Sequence, residues 1–191
     1  MTSFNGSPKA APALDDSPAQ VPAFDVVVVG ASAGGLAALS ILLGEFAVGL
    51  PVSWATDGAR MSPGTVYVAP PDRHLVFQHN GDASLLLSAP VHFSRPSVDL
   101  LFASAARAFG DRTLAVILTG NGCDGSGGVP EVHDVGGVVI AQDEASSEFF
   151  SMPREAIESG GVSYVLPLAS IGAAVRRLVT LGAAAGVTED R

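Results

Sequence analysis

The stretch Phe24–Leu39, FDVVVVGASAGGLAAL, sets the tightest limit on how this chain folds. Four consecutive valines, Val26–Val29, run into Gly30-Ala31-Ser32-Ala33-Gly34-Gly35, and an alanine- and leucine-rich helical pattern follows. A continuous apolar run bounded by glycines is the pattern of a strand buried on both faces, as in a parallel sheet. Strand, tight turn and helix therefore form one unit, with Ser32 at the apex of the turn. Gly30-x-Ser32-x-Gly34 has the spacing of a nucleophile elbow. In such an elbow, small neighbours let a strained turn lift a hydroxyl above the sheet, beside the amides of a helix N-terminus. The same residues also suit a glycine turn that binds phosphate, or one that only packs helix on strand.

Composition narrows the class. A chain of 191 residues suits one domain with a substantial core. Hydrophobic residues make up 48%, yet no uninterrupted apolar run reaches spanning length, so membrane insertion is not expected. The net charge of −9 argues against nucleic acid as a partner, because phosphate contacts need clustered Lys and Arg. One cysteine, Cys123, rules out an internal disulfide framework and fits a reducing compartment. No basic segment leads into an apolar run at the N-terminus, so a secretory signal is not expected and the cytoplasm is.

Residues 1–22, rich in Ser, Pro, Ala and Asp and without periodicity, read as a disordered tail. Residues 24–182 form the expected domain and 183–191 a C-terminal tail. Strand one is expected at Asp25–Val29 and helix one at Gly34–Glu45. Short strands follow around Pro51–Ala55 and Thr65–Ala69. Leu75–Gln78 and Ser84–Ser88 flank Asn80-Gly81-Asp82, a hairpin signal. Ser97 is a candidate cap for a helix carrying Val98, Leu101, Phe102 and Ala105, with Pro96 at its first position as the alternative. Thr113–Leu118 is a second fully buried strand, and a short helix follows, ending near Val135. Gly137–Ala141 and Val162–Leu166 are strands, a helix starts at Met152–Ile157, and Leu168–Leu181 closes the chain as an amphipathic helix. This alternation predicts a doubly wound α/β fold, a three-layer α/β/α arrangement with a mainly parallel sheet and a β-hairpin insertion.

Working groups in open parallel sheets gather at the carboxyl ends of the strands. Ser32 ends strand one and Gly120–Gly125 ends the Thr113–Leu118 strand, so both loops are expected on one edge. A Ser-His-Asp hydrolase needs a hydroxyl, an imidazole to take its proton and a carboxylate to hold the imidazole's tautomer. Ser32 and Asp124 supply two of these. The simpler reading of Asp124 is a turn aspartate capping the next helix, and that of Ser32 is a helix cap. Of the imidazoles, His79 falls in the hairpin turn and His133 in a helix, both as surface residues. His74 and His92 remain candidates for the catalytic edge. No histidine spacing or cysteine pair suggests a metal site.

Gly30-Ala-Ser-Ala-Gly-Gly35, Val66-Tyr-Val-Ala-Pro-Pro-Asp-Arg-His74, Arg95-Pro-Ser-Val-Asp99, Val116-Ile-Leu-Thr-Gly120, Asp124-Gly125 and Met152-Pro-Arg-Glu-Ala156 occur in an order that resembles the catalytic domain of the chemotaxis protein-glutamate methylesterase (CheB) family. The resemblance implies hydrolysis of glutamate methyl esters on the cytoplasmic helices of methyl-accepting chemoreceptors, or on a related signalling protein. Methanol is released, some members also deamidate glutamine, and no dissociable cofactor is needed. It assigns the nucleophile to Ser32 and the triad aspartate to Asp124, with oxyanion donors near the elbow and the Thr119–Gly122 loop.

Three departures stand beside it. The family's second strand, its following helix and the triad histidine between them have no counterpart, since Gly44-Glu45-Phe46 leads almost directly to the strand before Asp57-Gly58. No residue here matches that histidine, and an exposed sheet edge is expected. His74, in the family's Asp-Arg-His block, is the candidate substitute base. Asn121 stands where the family loop carries methionine. The usual N-terminal receiver domain is not expected, because Met1–Pro22 is too short to be one. Two readings follow: an esterase of this type, or an inactive docking module of the same fold for receptor helices or a signalling partner. A nucleotide-binding reading ranks last, because Ser32 stands where G-x-G-x-x-G requires glycine.

Overall fold

The computed structural model describes residues 24–181; the two expected tails lie outside the described residues. The polyvaline run forms β1 (Val26–Gly30) and the Ala/Leu pattern forms α1 (Gly35–Phe46). Then come β2 (Val52–Trp54), β3 (Val66–Val68), β4 (His74–Phe77), β5 (Ala83–Leu86) and α2 (Val98–Phe109). The remainder is β6 (Thr113–Ile117), α3 (Gly128–Asp134), β7 (Val138–Gln142), α4 (Ser151–Glu158), β8 (Tyr164–Leu166) and α5 (Leu168–Leu181).

The central sheet is wholly parallel, in the order β1-β6-β7-β8. All five residues of β6 and all five of β7 are buried, as continuous apolar strands between two helical layers must be. Their side chains alternate. Leu114, Val116 and Ile140 join the core beneath α1 and α5, while Ala115, Ile117 and Val139 join the core beneath α2, α3 and α4. The expected doubly wound α/β/α fold is present.

β1 differs from its sequence pattern. Val28 and Gly30 are buried, but Val26, Val27 and Val29 are only half-buried. The reason is position: β6 pairs one side of β1, and among the described residues no strand pairs the other. The expected open edge is therefore β1 itself. β2 and β3 do not join the main sheet but form a separate parallel pair.

The hairpin insertion is β4–β5, in antiparallel register from His74 opposite Leu86 to Phe77 opposite Ala83. Gly81 turns it at φ 82°, with its amide donating to the Gln78 carbonyl at 2.9 Å. The hairpin docks on α2 through Phe77, whose ring meets Phe109 edge-on at 5.1 Å between centroids and whose amide donates to Ser104 Oγ at 3.0 Å. Ser97 caps α2, accepting from the Leu100 amide at 3.4 Å. Pro96 thus stands before the cap rather than at the first helical position.

Candidate active site

Ser32 sits exposed on the turn between β1 and α1. Gly34 supplies the left-handed conformation the turn needs, at φ 74°, and the Gly35 amide closes it on the Ser32 carbonyl at 2.8 Å. The turn is bound to the loop after β6, where the Ser32 amide donates to the Thr119 carbonyl at 3.1 Å. Thr119 is itself fixed, because its amide donates to Gln142 Oε1 at 2.8 Å and its hydroxyl accepts from the Phe149 amide at 2.9 Å. A Cβ at Gly120 would lie 2.6 Å from Met152 Sδ and 2.9 Å from Ser32 Cβ. Only glycine lets these three segments approach so closely.

The predicted meeting of the two loops occurs. Ser32, Asn121 and Asp124 line one cavity of about 350 Å³ at the carboxyl edge of the sheet, together with Arg95, Ser97 and Met152. Asp124 is buried, and its partners are donors at the start of α2. Oδ1 accepts from the Ser97 hydroxyl at 2.9 Å and the Asp99 amide at 3.0 Å, and Oδ2 accepts from the Val98 amide at 2.9 Å. Asp124 is thus a helix cap, as the simpler reading held, but of the preceding helix rather than the next. The next helix, α3, is capped instead by Asp99, whose Oδ1 accepts from the amides of Gly125, Gly127 and Gly128 at 2.8–2.9 Å.

The histidines separate clearly. His74 is fully buried in β4, with Nε2 3.1 Å from the Ala89 carbonyl and Nδ1 buried without a partner. It does not line the cavity that holds Ser32. His79 is exposed at the hairpin turn, and His133 lies 3.5 Å from Asp134 on α3. His92 is different. Its Nδ1 lies 3.5 Å from Cys123 Sγ and its Nε2 lies 3.3 Å from Asp99 Oδ2. No local pattern announces this contact, because the imidazole and the thiol are 31 residues apart. No group of three or more His, Cys, Asp or Glu among the described residues is arranged to hold a metal ion.

A parallel α/β/α domain whose serine turn and aspartate loop share one cavity at the carboxyl edge of the sheet defines the class. Residues 45–175 match the family model for CheB methylesterase, and the chain belongs to that family. It is 46% identical over 130 residues to the protein-glutamate methylesterase FrzG of Myxococcus xanthus, an alignment covering 68% of this chain and 39% of that protein. It is 40% identical over 183 residues to a protein-glutamate methylesterase/protein-glutamine glutaminase of Moorella thermoacetica, covering 94% of this chain and 43% of that protein. The chain thus spans about half, or less, of the length of these curated relatives. The crystal structure of the CheB methylesterase catalytic domain of Thermotoga maritima superposes with a TM-score of 0.74 at 34% identity, over 80% of this chain and 97% of that one. No helix among the described residues is long and apolar enough to cross a membrane.

Proposed function

We propose that residues 24–182 form a carboxylic ester hydrolase domain acting in the cytoplasm on methylated glutamates of chemoreceptor helices or a related signalling protein, with Ser32 as a nucleophile. The observation that carries this reading is the shared cavity of Ser32 and Asp124 at the carboxyl edge of the sheet. Ser32 attacks the ester carbonyl, methanol leaves, and water completes the cycle through an acyl-enzyme. Asp124 acts by fixing the α2 N-terminus that walls the cavity. The fully exposed Phe93, which adjoins the cavity-lining Ser94, and the largely exposed Leu36, one turn beyond Ser32 in the chain, offer apolar ground for a helix to rest on.

One observation favours the second reading, a docking module that binds the same helices without turnover. None of the hydrogen bonds made by His74, His92 or His133 reaches Ser32. A serine without a base keeps only what binding and oxyanion stabilisation provide. Incubation with methylated receptor and measurement of methanol distinguishes the two. Release that falls at least about a hundredfold in Ser32→Ala supports the hydrolase. No release, with receptor still bound, supports the docking module.

A further inference from the structure

We propose that Cys123, His92 and Asp99 form a second nucleophilic centre on the rim of the same cavity, with Cys123 taking up the acyl group of carboxylic esters. The proposal rests on the hydrolase reading for its substrate class, though not on Ser32 for its chemistry. Each member has the position its role requires. His92 lies between the other two, Nδ1 towards the Cys123 thiol at 3.5 Å and Nε2 towards Asp99 Oδ2 at 3.3 Å. This is the nucleophile–base–orienter order of a hydrolase triad, with the ring turned end for end. Asp99 is a positioning residue. Its Oδ1 is occupied by three backbone amides, which fixes the carboxylate and leaves Oδ2 for the imidazole.

The imidazole is held as firmly. His92 and Phe93 form the tip of a two-residue turn, both at positive φ, 46° and 63°. Val91 and Ser94 close it by exchanging backbone hydrogen bonds of 3.1 and 2.8 Å. Such a turn demands positive φ at both central positions, so the backbone fixes where the His92 side chain leaves the turn. Access is open, since the His92 side chain is 49% exposed and Cys123 is half-buried. Asn121 and Asp124 on one side, and Ser94 on the other, line the Ser32 cavity. Cys123 and His92 do not line the cavity themselves but stand on the two loops whose neighbouring residues do.

The chemistry balances. His92 Nδ1 takes the thiol proton, and the thiolate attacks the ester carbonyl carbon, forming a C–S bond as the carbonyl electron pair moves to oxygen. Collapse of the tetrahedral species breaks the C–O bond, and the alcohol leaves with the proton held on Nδ1. Water then gives a proton to Nδ1 as its oxygen attacks the thioester carbonyl. The C–S bond breaks, the acid is released, and the thiolate recovers the proton. The sum is ester plus water to acid plus alcohol, and the imidazole that Ser32 lacks stands 3.5 Å from a sulfur instead.

The test uses the full chain with p-nitrophenyl acetate as acyl donor, followed by peptide mapping of the adduct. An acetyl group on Cys123, labile to neutral hydroxylamine and absent in Cys123→Ala, is expected. In His92→Gln acylation at neutral pH is expected to fall about a hundredfold. Alkylation by iodoacetamide provides the readout that a structural role does not move. Its rate at neutral pH should fall in His92→Gln, because the base that takes the thiol proton is gone. Both replaced side chains are partly exposed and cap no helix, so the variants are expected to fold. Acetylation of Ser32 with Cys123 untouched overturns the proposal and leaves the serine hydrolase standing. Unchanged alkylation in His92→Gln also overturns it. A Cys123 adduct without methanol release from methylated receptor supports the thiol centre while overturning the receptor-esterase reading.

Discussion

Asp99 and Asp124 cap each other's neighbouring helices. Asp124, on the loop leading into α3, takes the first amides of α2, and Asp99, in the first turn of α2, takes the first amides of α3. Each carboxylate neutralises the orphan donors of a helix start that its own backbone leaves unpaired. The cavity wall thus depends on two reciprocal locks. Asp124→Ala leaves two amides and the Ser97 hydroxyl without their acceptor and should cost about 2–4 kcal/mol. Asp99→Ala should cost a similar amount. Urea denaturation of both single variants and the double variant should give a coupling energy of at least about 0.5 kcal/mol. Strictly additive losses would mean that the two caps act independently.

Gly120 brings the loop after β6 into close approach with the serine turn. Gly120→Ala places a methyl group against Ser32 and Met152, with overpacking worth about 1–3 kcal/mol. Thermal melts should show the loss. Methanol release should fall further than stability alone explains, because the turn carrying Ser32 must move.

His74 should behave as a core residue. Its ring is 0% exposed and bonded to the Ala89 carbonyl. His74→Ala should lower stability by about 2–4 kcal/mol through a cavity and a lost hydrogen bond. The pH profile of any ester hydrolysis should not change. A changed profile in this variant would return His74 to the proton path.

Acid should act at the entry to the sheet. Arg112 Nε and Nη2 donate to the two carboxylate oxygens of Asp25 at 2.8 and 2.6 Å, while the Asp25 amide donates back to the Arg112 carbonyl. These hydrogen bonds hold the Asp25 carboxyl below its ordinary 3.8, against the smaller opposing effect of burial, with the Arg112 charge assisting. A lowered folded pKa means stability that is present above the unfolded value and lost as pH falls through the folded one. Asp25→Asn should therefore melt below the parent at neutral pH, and the gap should close as pH falls below 3.8 and through the folded value, and narrow in salt. A gap that persists in acid would show that charge is not its source.

Much of this was legible from residue order. Val26–Gly35 specified a strand, a turn and a helix, because a continuous apolar run, small turn residues and helix formers agree locally. β6 was legible as a buried strand for the same reason and β7 as a strand, and Asn80-Gly81 placed the hairpin. Six short blocks in family order mark the chain as resembling the CheB methylesterases by sequence alone. Tertiary structure alone decided the rest. It left β1 at the sheet edge, buried His74 within β4, assigned Asp124 to the helix before it rather than the one after, and set His92 between Cys123 and Asp99. The Asp124 cap and the His92–Cys123 contact join segments 25 and 31 residues apart. Such contacts are fixed by sheet order and packing of the whole chain, and no local periodicity carries them.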